Sequence, residues 1–327
     1  MPSRPSVAIV GLGLIGGSLA LRLNERGYDV RGHARDPQTV RDATDAGITA
    51  YADLDTMLSK LPSDAVVVLA TPLPAALELL PKIAATTPDS VTITDVVSTK
   101  SPLLQAARDA GAAHRYVGAH PMAGTAESGF AAAYAELLDD ATWVVTLDGG
   151  TDLQRWRQVA ALALDSGGKV VPADSEWHDH SVAWISHLPH VLAELLASNV
   201  APQSLPAALA AGSFRDATRV AATRPELVDA MLLGNRAMVV EALESFLDQL
   251  EQAAVALKGS ESRTLTERGH QHRTEWEAAR EAYRRTTHVD LREPDARERL
   301  IGIGARGGYL ISGPVSDESD VLTALVF

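Results

Sequence analysis

The chain has 327 residues, more than one core of typical size accommodates, so two domains are expected. A formal net charge of −13 disfavours nucleic acid as a partner, because proteins that bind nucleic acid present basic surfaces. The absence of cysteine excludes disulfides, thiol nucleophiles and cysteine-bound metals, and it is typical of a cytoplasmic protein. No stretch approaches the roughly 20 apolar residues of a membrane span, so no membrane association is expected.

A glycine loop near the start of the chain is the first motif with chemical meaning. An apolar run at residues 7–10 predicts a buried strand, and a segment with helical spacing follows the loop. Between them the sequence has the G-x-G-x-x-G pattern, which lets a pyrophosphate approach the backbone at a helix N-terminus. A glycine-rich turn in an ordinary α/β domain is the alternative, but the strand–turn–helix context favours a dinucleotide site. The residues expected to bind the cofactor here are Gly11, Leu12, Gly13, Leu14, Ile15 and Gly16.

The end of the second predicted strand bears on the choice of cofactor. Ala34 stands where NAD-dependent enzymes carry an acid, and Arg35 follows it. An arginine at this place suits the 2′-phosphate of NADP, so the sequence favours NADP, or use of both NADP and NAD. Asp36 precedes a proline and is interpreted as a helix cap rather than as a ribose ligand.

Polar residues follow two further predicted strands. Thr71 and Pro72 come after the apolar strand at residues 65–69, and Ser98 follows the strand at residues 91–95. Because ligands bind at the carboxyl ends of strands in open α/β sheets, all three are candidates for cofactor contact.

The remaining pattern indicates two domains. Residues 143–147 and 169–171 are expected to be the last strands of the same sheet, which makes residues 1–172 a Rossmann dinucleotide-binding domain. Residues 173–327 then form an all-helical substrate and dimerisation domain with a short C-terminal extension, in which residues 309–311 and 321–326 resemble strands around a Gly/Pro/Ser turn. The charge-rich stretch at residues 261–285 is interpreted as a solvated helix face.

Several histidines are candidates for chemistry. His120 lies in the loop His-Pro-Met-Ala-Gly-Thr, where it could accept a proton and Ser98 could orient it, but a structural loop histidine explains the position equally well. His187 and His190 share a helix face, and Pro189 between them predicts a kink. His178 and His180 lie upstream beside acidic residues and make a zinc site conceivable. No metal motif has the expected spacing, so no metal is predicted.

Arg219 is a candidate for binding a substrate carboxylate. It lies in a segment where two arginines and Asp216 interrupt an alanine-rich helical region. A guanidinium can bind a carboxylate through two hydrogen bonds. A surface ion pair with Asp216, three residues earlier, is the alternative interpretation.

Taken together, the chain resembles the prephenate/arogenate dehydrogenase family of tyrosine biosynthesis. The resemblance rests on five segments in order, at residues 11–18 (GLGLIGGS), 95–100 (DVVSTK), 120–125 (HPMAGT), 186–190 (SHLPH) and 212–219 (GSFRDATR). It implies a Rossmann domain followed by a helical dimerisation domain, a homodimer, and oxidative decarboxylation of prephenate or arogenate with hydride transfer to NAD(P)+. Ala126 stands where many members have an acid.

The resemblance also implies roles for single residues. His120 matches the catalytic histidine that takes the proton of the substrate 4-hydroxyl, and Ser98 matches the serine that orients it. The expected substrate-binding residues are His190, Arg219, His187, Asp216 and Thr125. His190 and Arg219 match direct contacts, while His187 and Asp216 match supporting positions.

Three alternatives remain open. Prephenate is the favoured substrate, but the sequence does not separate it from arogenate. A dehydrogenase of the β-hydroxyacid type would use Lys100 as its catalytic residue and would leave the histidine segments without a role. A dinucleotide-sensing module without turnover would bind the cofactor and leave His120, His190 and Arg219 unexplained.

Overall fold

The computed structural model describes residues 4–125, 127–259, 261–282, 284–312 and 320–327. Ala126 and the turn predicted between the two tail strands, at residues 313–319, lie outside the described residues. The chain divides into two compact units. The first consists of residues 1–179 and 286–326, and the second consists of residues 180–285 with Phe327.

A parallel six-stranded sheet forms the first half of the first unit. Its strand order is β3-β2-β1-β4-β5-β6, the order of a Rossmann fold, which confirms the predicted fold class. The strands are β1 (Val7–Val10), β2 (Val30–His33), β3 (Thr49–Tyr51), β4 (Val66–Leu69), β5 (Thr92–Asp95) and β6 (Tyr116–Val117). The helices that connect them are α1 (Leu14–Glu25), α2 (Pro37–Asp45), α3 (Leu54–Leu58), α4 (Leu73–Thr86) and α5 (Ser101–Asp109).

The predicted local signals act as expected in this sheet. β1 and β4 are buried along their whole length, as interior parallel strands require. Asp36 accepts the backbone N–H of Thr39 and caps α2, and Asp53 caps α3 in the same way. The cap interpretation of Asp36 is therefore confirmed.

A second six-stranded sheet corrects the expectation that residues 143–147 and 169–171 extend the first sheet. Its order is β10-β12-β11-β9-β8-β7. The chain leaves the first sheet after β6, which is only two residues long, and β7 then pairs antiparallel with β8. The elements are β7 (Ala119–Pro121), β8 (Thr142–Thr146), α6 (Leu153–Asp165), β9 (Lys169–Ala173), β10 (Arg285–Asp290), α14 (Ala296–Ala305), β11 (Tyr309–Ser312) and β12 (Val321–Val326).

The C-terminal tail completes this second sheet. The two predicted tail strands are confirmed as β11 and β12, which pair antiparallel, and β11 pairs antiparallel with β9. Leu300 and Ile303 of α14 join the large hydrophobic core that also contains Trp143 and Trp156. The tail therefore belongs to the first unit, whereas the sequence placed it as an extension of the helical domain.

Helices are the main secondary structure of the second unit. After α7 (Ser175–Val182), which spans the boundary between the units, a π-helical turn at Ala183–His187 leads into α8. Pro189 therefore lies in the first turn of α8, where its missing N–H costs no helical hydrogen bond. The helices are α8 (Leu188–Ser198), α9 (Leu205–Leu209), α10 (Gly212–Thr218), α11 (Pro225–Gly234), α12 (Arg236–Lys258) and α13 (Ser262–Glu281).

The core of the helical unit is small. Its hydrophobic cluster has four buried members among the described residues, Ala183, Leu188, Val239 and Ala242. α13 is exposed along nearly its whole described surface, as the mixed charges of this stretch predict. Within the described residues, no helix combines the length and the apolar character that a membrane crossing requires.

Candidate active site

The glycine loop has the geometry that a dinucleotide needs. Gly11 has a φ of +108°, and a Cβ there would lie 2.7 Å from the carbonyl oxygen of Ala70. A Cβ on Gly16 would overlap the backbone of Gly11, so only glycine lets α1 pack this closely. Gly13 faces open space and precedes α1, whose first turn has neither a side-chain cap nor an acid. The free N–H groups of α1 therefore suit a pyrophosphate.

The adjoining strand ends supply further candidate contacts. At the end of β2, Ala34 is buried and Arg35 is exposed, while the carboxylate of Asp36 is engaged with Thr39. These hydrogen bonds hold the pKa of Asp36 below its usual value. After β4, the hydroxyl of Thr71 is buried and has no hydrogen-bond partner among the described residues, so a ligand atom could bind it. Pro72 directly precedes α4.

His120 lies on β7, where it pairs in register with Val144 of β8. It is half-buried, and its Nδ1 lies 2.9 Å from Nε2 of His178, with the two rings edge to face. The second sheet, rather than a flexible loop, therefore sets the position of this histidine. Thr125, four residues after β7, is exposed and accepts the backbone N–H of Glu127.

His120 has a hydrogen-bonding neighbour that the sequence did not indicate. Ser98 is half-buried in the segment after β5, and within the described part of the chain it makes no hydrogen bond to His120. His178 takes that place, and sequence reasoning considered it only as a remote metal ligand. The sequence feature that could have indicated this role is the adjacent pair His178-Asp179. In the structure, Oδ1 of Asp179 lies 2.8 Å from Nδ1 of His178.

Asp179 connects the two histidines to the start of α5. Its Oδ1 accepts the backbone N–H of Lys100 at 2.8 Å, and its Oδ2 accepts that of Ser101 at 2.8 Å. Hydrogen bonds from His178 and Ser101 lower the pKa of Asp179 against the opposing effect of burial. Burial lowers the pKa of His178, so this histidine is neutral near pH 7.

Lys100 is a structural residue rather than a catalytic one. Its side chain is fully buried, and its Nζ donates to Asp95 and, at 2.6 Å, to the carbonyl oxygen of Ala119. The hydroxyl of Tyr116 donates to the other oxygen of Asp95 at 2.6 Å. Burial lowers the pKa of Lys100, and the charge of Asp95 opposes that shift. The β-hydroxyacid alternative, which needs an accessible Lys100, is thereby contradicted.

The helical unit places its two histidines differently. His187 is 1% exposed, and the side-chain amide of Asn235 donates to its Nδ1 at 3.1 Å. Asn235 lies between α11 and α12, so His187 stabilises the packing of these helices. The role of His187 as a supporting residue of the substrate site stays a prediction.

His190 and Arg219 come together within the helical unit. His190 is half-buried on α8, and its Nδ1 is buried without a hydrogen-bond partner among the described residues. Burial lowers the pKa of His190, Glu194 raises it, and the positive charge of Arg219 lowers it. Arg219 follows α10 in a short helical turn, is exposed, and has no ion pair with the exposed Asp216 among the described residues. The structure therefore does not support the alternative interpretation, in which Arg219 forms a surface ion pair with Asp216.

Two of the residues that made a zinc site conceivable, His178 and Asp179, form hydrogen bonds in the structure. His178 and Asp179 bind each other and the residues described above. Across the described ranges of the chain, no group of three or more His, Asp and Glu side chains has an arrangement that could hold a metal ion.

A Rossmann sheet with an open glycine loop, and a half-buried histidine in the same unit, are typical of a dinucleotide-binding oxidoreductase. Comparison with known proteins narrows this class. The family model for the nucleotide-binding domain of prephenate dehydrogenase matches residues 18–172, and the model for its dimerization domain matches residues 174–269. The cyclohexadienyl dehydrogenase of Zymomonas mobilis is 32% identical over 277 residues, which cover 80% of this chain and 91% of that protein.

Two solved structures are similar over most of the chain. A candidate prephenate dehydrogenase of Corynebacterium glutamicum has 38% identity and a TM-score of 0.85, covering 93% of this chain and 97% of that one. A prephenate dehydrogenase of Aquifex aeolicus in complex with hydroxyphenyl propionate and NAD+ has 28% identity and a TM-score of 0.74, covering 84% and 98%. The chain belongs to the prephenate dehydrogenase family, and the first of the two matching family models describes a nucleotide-binding domain.

Proposed function

We propose that the protein is a prephenate dehydrogenase of tyrosine biosynthesis, which converts prephenate to 4-hydroxyphenylpyruvate by oxidative decarboxylation. The observation that carries this proposal is His120. It is a half-buried histidine on a rigid strand, hydrogen-bonded to a second histidine, in a unit that also holds the glycine loop. Family membership over residues 18–172 and 174–269 supports the same activity.

In the proposed reaction, His120 accepts the proton of the substrate 4-hydroxyl. An oxidised nicotinamide bound at the glycine loop would supply the acceptor for the hydride that leaves the same carbon. The bond from the ring to its carboxylate then breaks, CO2 leaves, and the ring becomes aromatic. The phenolate oxygen then takes the proton back from His120, so 4-hydroxyphenylpyruvate, CO2 and the reduced cofactor form without net release of a proton. Ser98, in the segment after β5, is proposed to bind the cofactor and to orient His120 when the site is occupied.

His190 and Arg219 are proposed to bind the substrate carboxylates. A dianionic substrate needs cationic or donor groups that no protein carboxylate already occupies. Nδ1 of His190 is buried without a partner among the described residues, and the exposed Arg219 has no ion pair with Asp216 there. Asp216 and Thr125, both exposed, are proposed as supporting residues of the substrate site.

For the cofactor we propose NADP, or use of both NADP and NAD. Ala34 offers no carboxylate to a ribose 2′-hydroxyl, and Asp36 is occupied as a helix cap. Arg35 is exposed beside them and carries the charge that a 2′-phosphate would need. The remaining proposed contacts are the loop residues from Gly11 to Gly16, Thr71 and Pro72.

The test is the formation of reduced nicotinamide, followed by absorbance, with prephenate and with arogenate, each against NAD and NADP. We expect turnover with prephenate, and a kcat/KM with NADP at least equal to that with NAD. Turnover with arogenate alone would replace the substrate proposal by its alternative. Folded protein that binds cofactor but turns over neither substrate would contradict the proposed activity and support the dinucleotide-sensing module.

We also infer that the helical unit forms a homodimer. Several of its large apolar side chains are exposed, among them Leu205 (71%), Leu209 (72%) and Leu233 (69%), which is more than a stable monomer usually leaves in contact with water. The matching family model describes a dimerization domain. Sedimentation equilibrium should give twice the chain mass of 34.6 kDa, and a value equal to one chain at micromolar concentration would refute the dimer.

A further inference from the structure

His120 is the first member of a three-residue hydrogen-bonded chain. Its Nδ1 lies 2.9 Å from Nε2 of His178, and Nδ1 of His178 lies 2.8 Å from a carboxylate oxygen of Asp179. His178 is 2% exposed and Asp179 is 1% exposed, so water does not compete for these bonds. All three residues belong to the first unit.

The order of donors and acceptors along this chain determines where the protons are. An ionised carboxylate only accepts hydrogen bonds, so Nδ1 of His178 carries a hydrogen. Because a neutral imidazole has one N–H, Nε2 of His178 is then an acceptor. The bond to His120 therefore requires a hydrogen on Nδ1 of His120, and it leaves Nε2 of His120 as the unprotonated nitrogen.

We propose that His178 and Asp179 are positioning residues, which hold His120 in the tautomer whose Nε2 accepts the substrate proton. The proposal rests on the proposed function, in which His120 is the general base. It also assigns a purpose to a buried histidine that would otherwise be an unexplained polar group in the interior. An acceptor at Nδ1 stabilises the imidazolium that forms when Nε2 takes the proton.

The surrounding backbone anchors both ends of the chain. The oxygens of Asp179 accept the N–H groups of Lys100 and Ser101 at the start of α5, and the ammonium of Lys100 donates to the carbonyl oxygen of Ala119, next to His120. Rotation of the His120 ring would therefore break a bond that is fixed at its far end. The charged groups that act on His178 are Asp179, Lys100 and Asp95, and burial of the ring keeps its pKa below the usual value.

The first test compares three variants with the unaltered enzyme under saturating cofactor. His178→Phe keeps a ring but removes the acceptor, and we expect kcat to fall by about 10² or more, the lower end of what a positioned base contributes. His178→Gln restores an acceptor for His120 and a donor for Asp179. Its kcat should therefore be roughly tenfold higher than that of His178→Phe. His114→Phe, at a histidine whose side chain is 54% exposed in the same unit, is the matched control and should leave kcat unchanged.

A structural defect alone would also lower kcat, so the pH profile separates the two explanations. The acid limb of kcat/KM reports the pKa of the base in the free enzyme. Loss of the acceptor at Nδ1 destabilises protonated His120 and so lowers the pKa of His120. The acid limb of the kcat/KM profile should therefore move to lower pH in His178→Phe. A limb that stays in place, or a His178→Gln enzyme no better than His178→Phe, would overturn the positioning role.

The tautomer itself can be observed without turnover. In the unaltered protein with labelled histidine, ¹⁵N NMR should show His120 protonated at Nδ1 and not at Nε2, with the signals assigned by their loss in His120→Asn. The opposite tautomer would overturn the inference even if the enzyme is active. The predicted tautomer in a protein without turnover would instead contradict only the proposed function. This measurement also decides the matter if the His178 variants fail to fold.

Discussion

The polar groups around His120 and those around His190 differ in how completely the protein itself pairs them. In the first unit, His120, His178, Asp179 and Lys100 bind one another or nearby backbone at distances of 2.6–2.9 Å. In the helical unit, Nδ1 of His190 is buried without a partner among the described residues. The difference matches two kinds of chemistry. A general base must be held in one orientation, whereas a site for an anion must keep its donors available to the ligand.

Replacing His120 should have the largest effect on turnover. His120→Asn removes the proposed base, so kcat should fall by about 10²–10⁴-fold. Cofactor affinity should hardly change, because the glycine loop is a separate part of the unit. The readouts are kcat from reduced-nicotinamide absorbance and the Kd of the cofactor from fluorescence titration. A variant with normal kcat would remove His120 as the base, and weakened cofactor binding would indicate a general structural defect.

Replacing Lys100 should reduce stability. Lys100→Met leaves Asp95 as an uncompensated buried charge, which typically costs about 3–5 kcal/mol in the free energy of unfolding. Lys82→Met is the matched control, because its ion pair with Asp55 is about half-exposed and such pairs contribute at most about 1 kcal/mol.

Urea denaturation of both Lys variants measures the difference. The double change Lys100→Met with Asp95→Asn removes the buried charge as well as its partner and should recover part of the lost stability. Equal stability of the two single variants would mean that the buried pair contributes no more than the exposed one.

The elements of the first sheet were predictable because their signals are local. Apolar runs mark the buried strands β1 and β4, and the caps Asp36 and Asp53 bond to residues three positions away. The second sheet was not predictable, because β9 and β11 pair across about 140 residues and neither strand records its neighbour in its own sequence. β10 was missed since its residues are mostly exposed and lack an alternating pattern.

The candidate site divides in the same way. Motif spacing identified His120, His190 and Arg219, because each lies in a short segment of unusual composition. It did not identify His178 as the partner of His120, since the two are 58 residues apart and come together only when β7 and α7 are in place. It did not indicate that His187 is buried against Asn235, because helical spacing puts two residues on one face without showing which of them the neighbouring helices bury.

Replacing Arg219, a group that the protein itself leaves available to a ligand, should have the smallest of the predicted effects. Arg219→Ala should raise KM for the substrate by roughly 10- to 100-fold, as expected for loss of about 1.5–3 kcal/mol of charge-assisted hydrogen bonding. Its kcat should stay nearly constant, because the carboxylate is bound equally in the ground and transition states. Arg215→Ala removes an exposed arginine from α10 and should leave KM unchanged. Arg219→Lys keeps the charge but not the planar fork, so an intermediate KM would indicate bidentate binding. An unchanged KM in Arg219→Ala would instead mean that the exposed guanidinium serves no ligand.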